Sequence, residues 1–249
     1  MEKVVLSPST LELQKTLAHG KTVIGIDIGL TSVYIAQSAV YQGKTTIIKV
    51  VVEPITISEG QDRQEVTRLA LSRALDYFDA QNADVVCTIS NQKVIVDYLT
   101  MPVMPEAELY DAIKIEVSNS QHFSIENPIF DYQVASRILD KNVEKTNVMV
   151  AIIAKNVIEN ILSYFKPLKE NQFTKVKKLL QAQDFMGLNL VKFIPISIAL
   201  ENVIKESKLS IPETIVVLEM GSMSSELNIF KEGRLEFSRK INVSGFAGL

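Results

Sequence analysis

The sequence predicts an α/β protein, and three of its features support this prediction. Short β-branched runs alternate with amphipathic helical runs along most of the chain. One motif, a strand followed by a carboxylate and a glycine turn, occurs twice, within residues 24–33 and 216–225. The 249 residues are 47% hydrophobic and 22% charged, which is the balance of a globular chain that buries a full core. That length allows one large domain or two ordinary ones.

Charge and cysteine content exclude several classes of protein. The 26 Lys and Arg residues against 29 Asp and Glu residues give a formal net charge of −3. Nucleic-acid-binding domains usually have a basic excess, so we expect no nucleic-acid partner. The single cysteine, Cys87, rules out an internal disulfide and favours a reducing cytosol, and its apolar neighbours predict a core position. No apolar run approaches the roughly 18 residues that a membrane span needs.

The first half of the chain predicts three antiparallel strands, then a helix and two more strands. Residues 1–21 precede this pattern as a leader. The run from Thr22 to Ile28 is apolar and β-branched and stops at Gly29, which is typical of a strand before a tight turn. Strands at 33–41 and 45–52 follow through tight turns and complete a meander. The remaining predicted elements are a helix with one apolar face at 63–80 and strands at 83–89 and 94–99.

The second half changes character at 101–105, where two prolines interrupt the pattern and predict the start of a new unit. Residues 166–183 are polar and rich in lysine, which predicts an exposed insertion. The predicted helices lie at 106–118, 157–168 and 196–205. The predicted strands lie at 131–137, 147–154, 188–194, 215–218 and 235–243, with a further strand that resumes directly after the second copy of the glycine turn.

The duplicated motif carries the functional interpretation. A glycine turn at a strand end exposes successive backbone N–H groups, which can bind phosphate oxygens. A carboxylate just before the turn can hold Mg²⁺, usually through water, because Mg²⁺ sheds its hydration shell reluctantly. One such turn alone is usually only a turn, but two copies in equivalent contexts favour a fold that binds a nucleotide between two related domains.

The candidate nucleotide-binding residues follow from the two copies. Asp27 is the candidate metal ligand. The second copy is the weaker one, because its carboxylate belongs to the longer Glu219 and Met223 is bulky for a turn. We expect that site to be degraded. The candidates are Asp27, Gly29, Leu30, Thr31 and Ser32 in the first copy and Glu219, Gly221, Ser222, Met223 and Ser224 in the second.

The motifs also resemble a known family. Both hairpins are similar to the phosphate motifs of the actin, Hsp70 and sugar-kinase superfamily. The stretch Leu-Thr-Met-Pro-Val-Met-Pro-Glu-Ala-Glu-Leu at 99–109 and Asp-Tyr-Gln-Val at 131–134 resemble PilM, the actin-like protein of type IV pilus assembly that is related to FtsA. The resemblance covers about 22–245, apart from the Lys-rich piece. His122 and Ser124 depart from it, because prolines are usual there.

This resemblance implies an actin-like (ribonuclease H-like) ATPase domain with the extra subdomain of FtsA and PilM. Family members continue well beyond residue 249, so we expect the second domain to be incomplete here. The implied division is a leader at 1–21, a first actin-like domain at 22–103 plus about 186–210, an extra subdomain with the Lys-rich insertion at 104–185, and the start of a second actin-like domain at 211–249.

The function implied by the resemblance is that of a cytoplasmic protein at the inner face of the inner membrane. It would bind ATP with Mg²⁺ and dock the cytoplasmic N-terminal segment of a PilN-like inner-membrane protein, so that its membrane association comes through partners. Self-association stays open. Enzymatic activity is uncertain, at most that of a slow ATPase, with no catalytic residue assigned. The alternatives are a nucleotide-independent scaffold similar to GspL of type II secretion and an FtsA-like division protein.

Overall fold

A computed structural model describes residues 22–41, 44–80, 83–90, 94–119, 123, 125–166, 186, 188–207, 213–221 and 225–241. The leader, nearly all of the Lys-rich insertion and three candidate residues, Ser222, Met223 and Ser224, lie outside the described residues. The described chain divides into two compact units. Unit 1 takes the residues up to 89 and those from 160 to 194, and unit 2 takes 90–159 and the residues from 195 onward.

The described elements match the predicted order of strands and helices. No described helix combines the length and the apolar character that crossing a bilayer requires. In chain order the elements are β1 (Thr22–Ile28), β2 (Ser32–Tyr41), β3 (Lys44–Pro54), α1 (Arg63–Leu75), β4 (Ala83–Ile89), β5 (Val94–Pro102), α2 (Glu106–Asn119), β6 (Pro128–Asp140), β7 (Val143–Ala154), α3 (Lys155–Tyr164), β8 (Asn189–Pro195), α4 (Ile196–Glu206), β9 (Thr214–Met220), β10 (Ser225–Lys231) and β11 (Arg234–Ile241).

Unit 1 is built on a five-stranded sheet in the order β3-β2-β1-β4-β8. β1, β2 and β3 pair antiparallel in sequence, which confirms the predicted meander. β1 also pairs with β4, and this pairing is parallel, with Ile26 opposite Cys87. The carboxyl ends of β1 and β4 therefore meet at the same edge of the sheet.

Alternating burial along β1 and β4 defines the two faces of this sheet. Ile24 and Ile26 of β1 and Val85 and Cys87 of β4 are buried in one core cluster, together with Phe165. Cys87 is fully buried, so its predicted core position is confirmed. Because side chains alternate along a strand, the residues between these positions lie on the opposite face of the sheet.

Helix α1 ends earlier than the sequence predicts. The apolar spacing indicated a helix to residue 80, but α1 ends at Leu75. Phe78 still packs into the unit 1 core. Lys49 of β3 contacts the segment just after α1: its Nζ donates to the Tyr77 carbonyl at 2.6 Å and lies 5.4 Å from the centre of the Phe78 ring. Phe78 therefore fits the apolar spacing of 63–80 because it is buried in the core, although it lies outside the helix.

Unit 2 contains two three-stranded antiparallel sheets, β5-β7-β6 and β11-β10-β9. Helix α2 packs on the first of them through Leu109, Ile113 and Val117. β5 pairs with β7 along its whole length and lies in unit 2. The predicted division into domains as a whole stays a prediction.

Leu235 of β11, whose side chain is buried, links its sheet to β5 and to helix α4. Its N–H donates to Glu201 Oε2 of α4 at 2.9 Å, and its carbonyl accepts from the Tyr98 hydroxyl of β5. Burial, and then the nearby charges of Glu201 and Glu236, raise the pKa of Tyr98 to about 12. The hydroxyl therefore keeps its proton, and can donate, throughout the physiological pH range.

Candidate functional site

Asp27 lies at the carboxyl end of β1, on the sheet face opposite the core. The parallel register that pairs Ile26 with Cys87 places the next residue of β4, Thr88, beside it. The Thr88 hydroxyl donates to Asp27 Oδ1 at 2.6 Å, while the Ile26 carbonyl lies 3.4 Å from the same hydroxyl. A hydroxyl has one proton, so the shorter contact to the carboxylate is the principal hydrogen bond. Thr88 thus orients the candidate metal ligand.

The charge of Asp27 also reaches the core behind it. Burial, and secondly the Asp27 carboxylate, raise the pKa of Cys87 to about 12. A thiol with so high a pKa stays protonated at neutral pH and is a poor nucleophile. Cys87 is therefore a packing residue. The group at this edge of the sheet that can bind a ligand is the Asp27 carboxylate.

The turn after Asp27 is closed by the backbone. The Gly29 N–H donates to the Ser32 carbonyl at 2.9 Å. The carbonyl of Thr31 accepts the Ile55 N–H at 2.7 Å, and the carbonyl of Leu30 accepts from Arg63 Nη2 of α1. Thr31 is exposed at the tip of this turn. Because the sequence predicts that residues 29–32 bind phosphate, we call them the phosphate turn.

Gly29 is required by close approach rather than by backbone conformation. The described glycines with a positive φ are Gly60 and Gly233, so Gly29 is not in the left-handed region. A Cβ at Gly29 would lie 3.0 Å from the Ser32 carbonyl oxygen and 3.6 Å from the Tyr34 ring. That oxygen already accepts the Gly29 N–H, so it cannot move away without opening the turn.

The second copy of the motif lies in unit 2 and is chemically different. Glu219 of β9 stands opposite Glu226 of β10, and Lys240 Nζ of β11 lies 3.5 Å from Glu226 Oε2. Burial lowers the pKa of Lys240, and the charges of Glu226 and Glu219 oppose that shift. The lysine therefore offsets part of the charge of Glu219, whereas Asp27 accepts from a neutral hydroxyl. Gly221 follows β9 and is half-buried.

No protein-family model matches the chain, and no curated protein matches its sequence. Among solved structures, a chain of the PilM-PilN type IV pilus biogenesis complex is similar over 90% of this chain, with 16% identity and a TM-score of 0.65. The fold is PilM-like. It is an actin-like ATPase fold, as the sequence predicted.

A second similarity leads to the same fold. The cytoplasmic domain of EpsL, an inner-membrane component of the type II secretion system of Vibrio cholerae, is similar over 89% of this chain and 71% of its own, with 12% identity and a TM-score of 0.50. The present chain spans 62% of the length of the matching chain from the PilM-PilN complex. At these identities the similarity establishes the fold alone.

Within this PilM-like fold, the structure gathers only part of the predicted site. Asp27 and residues 29–32 form one hairpin of unit 1, while Glu219 and Gly221 belong to unit 2 and are described separately. The sequence reasoning missed Thr88, Ile55 and Arg63, all of which contact the first hairpin. Their roles depend on strand pairing and loop path, for which the sequence carries no local signal.

The donor set at Asp27 suits a hydrated magnesium ion. Within the described ranges, no three or more His, Cys, Asp or Glu side chains gather as a metal cage. Mg²⁺ is commonly bound by one or two carboxylates, with water and substrate phosphates completing its octahedral shell. A single oriented carboxylate beside a glycine turn fits that pattern.

Replacing Thr88 with valine tests the hydrogen bond that orients Asp27. The change keeps the shape of the side chain and removes the donor. We expect the free energy of unfolding to fall by about 1.5 kcal/mol, the lower end of the range for a hydrogen bond to a charged group. Thr88→Ser keeps the hydroxyl and is the control. Urea denaturation in which the valine variant matched the wild type while the serine variant was weaker would assign the effect to the methyl group.

Proposed function

We propose that the chain is an actin-like nucleotide-binding protein of type IV pilus assembly that works at the cytoplasmic face of the inner membrane. The likeness of 90% of the chain to one solved in a PilM-PilN complex supports the pilus role. The nucleotide part is carried by one observation, the hairpin that places an oriented carboxylate next to a closed glycine turn. The ligand proposed for it is ATP with Mg²⁺.

Each group of the hairpin has a role in this proposal. The oxygens of Asp27 would hold the hydrated Mg²⁺, with Thr88 keeping the carboxylate in place. The backbone N–H groups of the phosphate turn and the hydroxyls of Thr31 and Ser32 would bind phosphate oxygens. Bound Mg²⁺ would neutralise part of the phosphate charge. The contribution of the second copy, with Glu219, Gly221 and residues 222–224, stays a prediction from sequence.

The proposed partner is a PilN-like inner-membrane protein, recognised through its cytoplasmic N-terminal segment. The similar chain was solved in a PilM-PilN complex, which supports this partner. The chain would then reach the membrane through the partner, and docking near the predicted extra subdomain, 104–185, is the arrangement that the sequence resemblance implies.

A second candidate function is a scaffold that works without nucleotide and is similar to GspL of type II secretion. Two observations favour it. The fold is also similar to the cytoplasmic domain of EpsL from a type II secretion system. In the second hairpin, Lys240 offsets part of the charge of Glu219, which leaves that carboxylate less available to a metal ion.

Calorimetric titration of Mg·ATP into the whole chain tests the nucleotide proposal. We expect Mg·ATP to bind the wild type and Asp27→Ala to weaken that binding by more than about tenfold. Residues that only hydrogen-bond to metal ligands already contribute about tenfold or more to metal affinity, and a residue that holds the hydrated ion should contribute at least as much. Asp79→Ala is the control, since Asp79 is an exposed acidic residue of the same unit. Equal affinity in wild type and Asp27→Ala would contradict the role of Asp27, and absence of binding in both would favour the scaffold.

A labelled peptide copying the cytoplasmic N-terminal segment of PilN from the source organism tests the partner. We expect it to bind the chain, with an affinity that changes when Mg·ATP is added, as fluorescence anisotropy would measure. A scrambled peptide is the control. Equal affinity with and without nucleotide would favour the scaffold, and failure to bind in both conditions would contradict the pilus role.

A further inference from the structure

The connection from β3 to α1 contacts the phosphate turn from both of its ends. At its start, the Ile55 N–H donates to the Thr31 carbonyl at 2.7 Å. At its finish, Arg63, the first residue of α1, donates from Nη2 to the Leu30 carbonyl. One connection therefore binds two consecutive carbonyl oxygens of the turn.

Binding of consecutive carbonyls fixes the direction of the N–H groups that follow them. Both carbonyls lie within the turn that the Gly29 N–H closes by donating to the Ser32 carbonyl. The described peptide bonds are all trans, and a trans peptide points its C=O and N–H in opposite directions. The N–H groups of Thr31 and Ser32 therefore point away from Arg63 and Ile55, respectively. Adjacent backbone N–H groups in a turn can form an anion-binding concavity.

Arg63 is itself held in place. Asp62 caps α1, because its Oδ1 accepts the Gln64 N–H at 3.2 Å. The Gln64 side chain in turn donates to the Ser163 hydroxyl at the end of α3. The arginine side chain is half-buried, which reduces the freedom of its guanidinium. The Arg63 guanidinium thus brings both a positive charge and a hydrogen-bond donor to a fixed place at the phosphate turn.

We propose that Arg63 is a positioning residue of the phosphate turn. The anion that the turn binds in this proposal is the polyphosphate of a nucleotide. The proposal rests on the nucleotide function proposed above. By holding the Leu30 carbonyl, Arg63 keeps the Thr31 N–H aimed at the phosphate. Without it the Leu30–Thr31 peptide is free to rotate and to turn a carbonyl oxygen, which repels phosphate, toward the ligand.

The affinity test compares Arg63→Met with Arg73→Met. Both variants remove one positive charge from α1, but Arg73 is largely exposed and pairs with Glu53 at 2.7 Å. We expect Arg63→Met to weaken Mg·ATP binding by about tenfold, the effect of losing a hydrogen bond from a charged group. Binding of adenosine, which has no phosphate, should be unchanged, and so should Mg·ATP binding by Arg73→Met. Equal weakening in both variants would mean long-range charge alone and would overturn the proposal.

A second readout needs no ligand. In the free protein, Arg63→Met should shift the amide NMR signals of residues 29–32, while Arg73→Met should leave them in place. Arg63→Lys, which keeps a donor and the charge, should restore part of both the signals and the affinity. If the wild type fails to bind Mg·ATP, the proposed nucleotide function fails. Unshifted amide signals in Arg63→Met would overturn the positioning role itself, whatever the affinity results.

Discussion

The parallel pairing of β1 with β4 is the constraint on which the candidate site depends. β1 lies between β2 and β4 in the five-stranded sheet, so its end is held from both sides. The antiparallel side leads into the phosphate turn, and the parallel side brings Thr88 to Asp27. A carboxylate and a backbone turn thereby meet at one edge of the sheet. The core side chains of the same two strands, Ile26 and Cys87, fix the register that makes this possible.

The two copies of the duplicated motif share a sequence pattern but differ in electrostatic surroundings. In the first copy the carboxylate accepts from a neutral hydroxyl, so its charge remains available to a cation. In the second, Glu219 shares its face of the sheet with the Glu226–Lys240 ion pair, and the charge of Lys240 partly offsets it. The weakness that the sequence indicated in the second copy, a longer carboxylate, is thus accompanied by a difference in charge balance that only the strand register reveals.

The sequence predicted the features that depend on local chemistry. The meander, most strand positions and the hairpin from Asp27 to Ser32 follow from β-branched runs and a glycine turn, and the structure confirms these elements. Contacts between distant segments were not predictable. Thr88 reaches Asp27 through the pairing of β1 with β4, and Ile55 and Arg63 reach the phosphate turn through the path of the β3–α1 connection. The contacts of Lys49 with Tyr77 and Phe78, just beyond the end of α1, likewise join distant segments. The actin-like fold itself was predictable because two specific motifs, rather than composition, resembled a known family.

Comparing Gly29→Ala with Gly25→Ala in a Mg·ATP binding titration tests most directly whether the phosphate turn binds nucleotide. Both changes add one methyl group to the segment that runs along β1 into the phosphate turn. At Gly25 the new Cβ would lie 3.9 Å from the Ala36 carbonyl, an ordinary contact, whereas at Gly29 it would lie 3.0 Å from the oxygen that closes the turn. We predict wild-type affinity for Gly25→Ala and a loss of about tenfold or more for Gly29→Ala. Equal affinities in the two variants, with wild-type binding intact, would contradict the assignment of the turn as a phosphate site.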